Sequence, residues 1–140
     1  MDSKEFESVV DATIQQVRDT LMAKTAEYVP EGEPSRFHNF EVSAAFNQQL
    51  STEALWGFLT KHLVSLSDMV KTESSDASIL RWEEKINDSI IYLLLLKGIV
   101  VENDELAAKK QSIKQSIKQE TIGVEAQRKA PSIVLHTQNP

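Results

Sequence analysis

The chain has 140 residues, of which 41% are hydrophobic and 26% charged, with a formal net charge of −6 and no cysteine. This length suits one domain, and the composition excludes a chain that is disordered throughout. The net negative charge gives no indication of nucleic-acid binding, because binding to phosphates needs a basic face. Without cysteine there are no disulfides or thiolate metal sites, which fits a cytoplasmic protein.

The first predicted helix covers about residues 3–28. Asp2 followed by Glu5 has the spacing of a capping box. Apolar residues recur behind it at helical intervals, from Phe6 to Leu21, and the helix is expected to end before Pro30. A polar loop with two prolines and one glycine follows, over 29–35.

Three further helices are predicted, over about 41–49, 52–72 and 79–101, with a loop at 72–78. Ser51 or Thr52 is expected to cap the third helix. That helix is apolar around most of its circumference, which predicts burial in the middle of the protein. The longest apolar run, residues 90–96, is about a third of a membrane span. We therefore expect an all-α helical bundle of about four core helices, with no membrane partner.

The chain changes character at residue 102. Residues 1–101 contain 9 basic and 16 acidic residues, a net charge of −7, whereas residues 102–140 contain 6 and 5, a net charge of +1. We interpret 1–101 as the bundle domain and 102–140 as a C-terminal extension. Residues 103–120 are expected to form an exposed helix whose narrow apolar stripe suits a partner chain, so we expect a homo-oligomer. Residues 121–140 are expected to form a flexible arm with a possible strand at 133–135; a disordered tail is the alternative.

Polar residues follow one face of each of the two central helices. In the third helix this face holds Ala54, Gly57, Lys61, Ser65 and Asp68, and in the fourth it holds Glu84, Asp88 and Tyr92. Because a buried unpaired charge costs several kcal/mol, we expect the two polar faces to meet. One interpretation is a structural salt bridge from Lys61 to Glu84 or Asp88. The other is a site for a small charged ligand, with Glu84 and Asp88 able to share a magnesium ion.

Two further features admit two interpretations each. His62 follows the apolar stripe of the third helix, where a satisfied core histidine is more common than a ligand-binding one. Arg36, His38 and Asn39 lie between Phe37 and Phe40, a composition that suits stacking on a base and gripping a phosphate. The same segment could equally be a structural plug that the two phenylalanines anchor to the bundle.

Taken together, several short motifs resemble a known group of phage and prophage proteins. They are Lys24-x-x-Glu27-Tyr28, Arg36-x-x-Asn39-Phe40, Trp56-Gly-x-x-x-Lys61-His62 and Glu83-Glu-Lys-Ile-Asn-Asp88-x-x-x-Tyr92. Over residues 20–101 this set resembles the nucleotide modification associated domain family and, more distantly, the MazG-like all-α nucleotide pyrophosphatases. The latter resemblance implies an oligomeric bundle that binds magnesium through carboxylates on two helices. Glu83, Glu84, Asp88 and Tyr92 match half of that motif, but Lys61 stands where a second acidic cluster is expected.

The sequence therefore favours a non-catalytic nucleotide-binding protein of phage type that sequesters a nucleotide-derived immune signal in the host cytoplasm. In this hypothesis Lys61 and Arg36 meet phosphate, while Trp56, Phe37 or Tyr92 stacks on a base. The alternatives are a magnesium-dependent nucleotide pyrophosphatase and a protein-interaction module that acts through the C-terminal helix.

Overall fold

The computed structural model describes residues 1–28, 35–71 and 78–129, and these residues form four helices and no strand. The helices are α1 (Ser3–Tyr28), α2 (His38–Asn47), α3 (Ser51–Lys71) and α4 (Ile79–Lys129). The predicted all-α helical bundle is confirmed. The predicted loops lie almost wholly outside the described residues, and the possible strand at 133–135 lies entirely outside them. Within the described part of the chain, no helix has both the length and the apolar character needed to cross a membrane.

The start of α1 agrees with the predicted capping box. The backbone N–H of Glu5 donates to Oδ1 of Asp2 at 2.9 Å, and the backbone N–H of Asp2 donates to Oε2 of Glu5 at 2.7 Å. Two otherwise unsatisfied N–H groups at the helix start are thereby paired.

The start of α3 uses a different residue from the one predicted. The carboxylate of Glu53 accepts a hydrogen bond from the backbone N–H of Leu50 at 2.7 Å. Leu50 thus occupies the capping position, and Ser51 is already helical. The expected cap at Ser51 or Thr52 is wrong by one or two residues: Glu53 pairs the backbone N–H of Leu50, as the glutamate of a capping box does.

The fourth helix is much longer than predicted. We expected a break after residue 101 and a flexible arm from 121, but α4 continues to Lys129. No glycine or proline lies between Ile99 and Ile122, so the change to polar composition alters exposure without ending the helix. The chain divides into two compact units, Met1–Val101 and Glu102–Pro140. Residues 102–119 are all exposed, as predicted for that segment.

Among the residues whose burial the structure describes, the buried core lies in the first unit and is small. Its apolar members are Val17, Ala44, Ala54, Leu55, Leu59, Met69, Ile91 and Ile99. Helix α3 contributes one face to it, because Leu55, Leu59 and Met69 recur at helical spacing. The expectation that α3 is buried all round is wrong, since Trp56 and Val70 on its other faces are more than half exposed.

Candidate functional site: a cavity between the helices of the first unit

A cavity of about 580 Å³ lies among residues of all four helices, within the unit Met1–Val101. This volume falls in the range of ligand pockets in proteins, about 300–1,000 Å³. Its lining combines apolar side chains with a small number of polar ones, which is the usual composition of a small-molecule site. We call it the His62–Asp88 cavity; its lining includes Lys24, Arg36, Asn39, Phe40, Phe46, Phe58, His62, Asp88 and Tyr92.

The centre of the cavity wall is an imidazole–carboxylate pair that joins α3 to α4. Nδ1 of His62 lies 3.2 Å from Oδ2 of Asp88, and their side chains are 13% and 22% exposed. Burial lowers the pKa of His62, outweighing the opposite effect of the Asp88 carboxylate. The imidazole is therefore neutral at neutral pH. In the tautomer that can donate to Asp88, Nδ1 carries the ring proton and Nε2 is an acceptor.

Three aromatic rings and the imidazole form one wall of the cavity. The ring centroids of Phe58 and Tyr92 are 6.4 Å apart with nearly parallel planes, and Phe40 meets both rings edge to face. The centroid of His62 is 5.0 Å from that of Tyr92. Helical spacing explains this cluster, because Phe58 and His62 are four residues apart on α3, as are Asp88 and Tyr92 on α4. A flat apolar surface beside polar groups is suited to stacking on a planar ligand.

Two basic side chains also line the cavity. Nη2 of Arg36 donates to the carbonyl oxygen of Leu21 at 2.9 Å, which ties the segment before α2 to α1. The same segment is held by Ser35, whose hydroxyl donates to Glu41 and accepts from the backbone N–H of Phe37. Lys24 lies on α1, close enough to His62 for its charge to lower the histidine pKa.

Among the described residues that line the cavity, basic side chains outnumber acidic ones, although the whole chain is acidic. Lys24 and Arg36 contribute two positive charges to the lining, Asp88 contributes one negative charge, and His62 is neutral. Counted over the described lining residues alone, the formal charge is about +1, in a protein whose formal net charge is −6. Basic groups in a partly enclosed site can meet an anionic guest, and Coulomb interactions strengthen as water is excluded.

The structure brings together only some of the residues predicted to bind a ligand. Arg36, Asn39, Asp88 and Tyr92 line the cavity. The other predicted residues, His38, Trp56, Lys61, Asp68 and Glu84, are not among its lining residues.

The prediction that the polar faces of α3 and α4 meet is wrong for Lys61 and Glu84. Both side chains are exposed, and Glu84 contacts the neighbouring Lys85 at 2.6 Å, a hydrogen bond that lowers the pKa of Glu84. The reason is that two adjacent faces of α3 compete for burial in the core. The face with Lys61 also carries Gly57 and Ser65, which have little apolar surface to bury, whereas the adjacent face carries leucines and His62. Successive residues differ by 100° around a helix, so burying His62 turns Lys61 outward.

The side chains do not fit the predicted magnesium site at Glu84 and Asp88. Glu84 is engaged by Lys85, and Asp88 is engaged by His62. Among the described residues, no group of three or more histidine, cysteine, aspartate or glutamate side chains is placed to hold a metal ion. Magnesium keeps several waters and is usually held by one or two carboxylates, but here both candidate carboxylates already contact a neighbouring side chain.

Sequence reasoning missed three important cavity residues. His62 was weighed mainly as a core residue, although it was the one polar member of the most apolar face of α3. Phe58 is one of several apolar residues of α3 that the sequence does not distinguish from one another, and Lys24 enters only through the family resemblance. A useful signal was available: Phe58 and His62 share the four-residue spacing of Asp88 and Tyr92, so one turn of each helix could present a ring and a polar group together.

Comparisons of the chain with family models, curated proteins and solved structures find no match.

Proposed function

We propose that the chain binds a nucleotide or a nucleotide-derived small molecule in the His62–Asp88 cavity without transforming it. One observation carries the proposal: a cavity of about 580 Å³ has basic Lys24 and Arg36 in the same lining as the rings of Phe58 and Tyr92. A nucleotide has the matching parts, namely an anionic phosphate and a flat base. Arginine suits phosphate because its planar group presents paired N–H donors.

The polar groups of the cavity give the proposal further support. The carboxylate of Asp88 and the Nε2 atom of His62 are acceptors, and a base or sugar offers N–H and O–H donors to them. The amide of Asn39 both donates and accepts. Such a mixed set of groups would discriminate a nucleotide from inorganic phosphate, because only the nucleotide has base and sugar groups that can pair with them.

The biological setting of the proposal depends on the family resemblance. A phage-encoded protein of this kind would act in the host cytoplasm, and binding without turnover would sequester a nucleotide-derived immune signal. We include a homo-oligomer in the proposal because several large apolar side chains of the first unit, including Trp56, Val64 and Val70, are more than half exposed. Burial of such surface is the main source of association free energy.

The test is calorimetric titration of the intact protein with nucleoside mono-, di- and triphosphates and with cyclic dinucleotides. Lys24→Ala and Arg36→Ala should each weaken binding of the tightest ligand by about 10–100-fold, since a hydrogen bond to a charged group contributes about 1.5–3 kcal/mol. Lys61→Ala and Arg81→Ala remove exposed basic residues outside the cavity and are the matched controls. Equal loss in test and control variants would show a nonspecific charge effect and reject the site.

The same titrations separate binding from catalysis. Each nucleoside triphosphate is incubated with the protein and magnesium, and release of pyrophosphate is measured. Binding without release agrees with the proposal, whereas sustained release would replace it with the pyrophosphatase hypothesis. Absence of binding by every nucleotide at millimolar concentration would reject a nucleotide ligand.

A further inference from the structure

Lys24 and Arg36 belong to different segments of the chain but reach the same turn of α1. Nη2 of Arg36 donates to the carbonyl oxygen of Leu21 at 2.9 Å, and Leu21 lies three residues before Lys24 in α1. Residues three apart in a helix share a face and are separated by about 4.5 Å along its axis. All three residues line the His62–Asp88 cavity. The two cationic groups are therefore placed at one region of the cavity wall.

The segment that carries Arg36 is held by contacts within the protein. The hydroxyl of Ser35 donates to Oε1 of Glu41 at 2.8 Å and accepts from the backbone N–H of Phe37 at 3.1 Å. The ring of Phe37 lies against Gly98 of α4, with Cζ 2.7 Å from the position that a Cβ would occupy there. Because the segment is tied to α2 and α4, little order has to be created there when a ligand binds.

The sequence limits how much positive charge the first unit can bring to this region. Its nine basic residues all lie where the structure describes the side chains, and two of them, Lys24 and Arg36, line the cavity. The remaining residues of the unit, 25–34 and 72–77, include five acidic residues and no lysine or arginine. Any ion pair of Lys24 or Arg36 within the chain lowers the charge left for a ligand. With His62 neutral, two positive charges are the most that this unit can offer in the cavity.

We propose that Lys24 and Arg36 form one phosphate subsite and that the cavity takes a nucleotide with a single phosphate group, an inference that rests on the proposed function. A phosphate monoester carries about 1.5–2 negative charges at neutral pH, which two cations balance. A second or third phosphate adds negative charge without a further cation, in a unit with 9 basic and 16 acidic residues. The carboxylate of Asp88, in the same lining, adds to the repulsion.

Calorimetric titration of the intact native chain, without divalent cations, tests the number of phosphates. For each common base, the nucleoside is compared with its 5′-monophosphate, 3′,5′-cyclic monophosphate, diphosphate and triphosphate. A single-phosphate form should bind tightest, and affinity should fall about threefold or more for each phosphate added, with a smaller fall at high salt. The two single-phosphate forms distinguish a monoester ligand from a diester.

The outcomes separate this inference from the proposed function. A diphosphate, triphosphate or cyclic dinucleotide that binds more tightly than both single-phosphate forms would overturn the inference and leave nucleotide binding intact. Absence of binding by every nucleotide would reject both.

Asn47→Lys tests whether a shortage of positive charge sets the preference. Asn47 is an exposed residue of the cavity lining, and a lysine there should narrow the affinity ratio of monophosphate to triphosphate by about threefold. Gln15→Lys is the matched control, because it makes the same amide-to-lysine change at an exposed residue outside the lining. An equal change of the ratio in both variants would show that the overall charge of the protein sets the preference, and would overturn the subsite.

The nucleoside shows whether Lys24 and Arg36 act on the phosphate itself. Lys24→Ala and Arg36→Ala should each weaken monophosphate binding and leave nucleoside binding unchanged, because the nucleoside has no phosphate. Circular dichroism and the melting temperature establish that each variant is folded, and Arg36→Lys, which keeps the charge, should retain part of the monophosphate affinity. If either alanine variant weakens nucleoside and monophosphate binding equally, that residue maintains the shape of the cavity and the phosphate subsite is rejected.

Discussion

Nδ1 of His62 and Oδ2 of Asp88 lie 3.2 Å apart and join the two central helices at the wall of the cavity. One partner comes from the apolar face of α3 and the other from the polar face of α4. This pair replaces the lysine–carboxylate contact expected from the sequence. Its neutral imidazole gives the cavity a hydrogen-bond acceptor in place of a third positive charge.

The His62–Asp88 pair makes the stability of the fold depend on pH. Burial lowers the pKa of His62 in the folded protein below its ordinary value of 6.5. The unfolded chain therefore binds more protons between these two values, and stability rises with pH across that interval. The contribution of neutral His62 is complete above about pH 6.5 and is lost as the pH falls through the lower, folded pKa.

Thermal unfolding measured from about pH 7.5 down to about pH 5 checks this expectation. The melting temperature should fall with pH, and the fall should be smaller for His62→Gln, whose amide does not titrate. If the melting temperature of the native chain and that of His62→Gln fall equally over this pH range, the titration of His62 does not contribute to stability.

The aromatic wall should contribute to binding of a base but not of phosphate. Under the proposed function, Phe58→Leu removes a ring beside Tyr92, and base stacking on an aromatic side chain contributes about 1–3 kcal/mol. We expect nucleotide affinity to fall about tenfold or more, which corresponds to about 1.4 kcal/mol. Trp56→Leu is the control, because Trp56 is 54% exposed and lies outside the cavity. A larger loss of affinity for Trp56→Leu would restore the stacking role that the sequence had predicted for that tryptophan.

The two glycines of the central helices should respond differently to alanine. A Cβ added at Gly57 would meet no atom within 4 Å, so Gly57→Ala should stabilise the protein by about 0.5–1 kcal/mol through helix propensity. A Cβ added at Gly98 would lie 2.7 Å from Cζ of Phe37, which must then move. Overpacking of this kind costs about 1–3 kcal/mol, which offsets or exceeds the gain in propensity.

Urea unfolding of the two alanine variants measures this difference directly. Gly98→Ala should be the less stable by about 1–3 kcal/mol. Equal stabilisation by both substitutions would mean that Phe37 does not pack against Gly98 in solution.

Truncating two leucines of α3 to alanine should show, through their different effects on stability, which face of the helix is buried. Leu59 is fully buried, and Leu59→Ala should cost about 2–5 kcal/mol from lost burial and the cavity left behind. Leu63, one turn further along, is 39% exposed, and Leu63→Ala should cost clearly less. The two variants have the same change in composition, so the difference in their urea midpoints reports burial alone. A reversed order would show that oligomerisation or another contact buries Leu63 more deeply than Leu59.

Local features of the fold followed directly from the sequence. The bounds of α1 and its capping box agree with the prediction, because capping and helical spacing involve residues within one or two turns. The exposure of 103–119 also followed from polar composition. The break expected at residue 101 did not occur, because a change from apolar to polar residues alters what a helix packs against without altering its backbone preference.

By itself, the sequence determined that the chain is helical and where most of its helices begin. It also identified Arg36, Asp88 and Tyr92 as candidate ligand-binding residues. Only the tertiary structure decided which face of α3 turns inward, and therefore that His62 rather than Lys61 meets Asp88. Neighbouring residues on a helix differ by 100°, so a modest difference in apolar surface between two adjacent faces selects the side chains that converge. That difference is settled by all the helices packing together, which spacing within a single helix cannot specify.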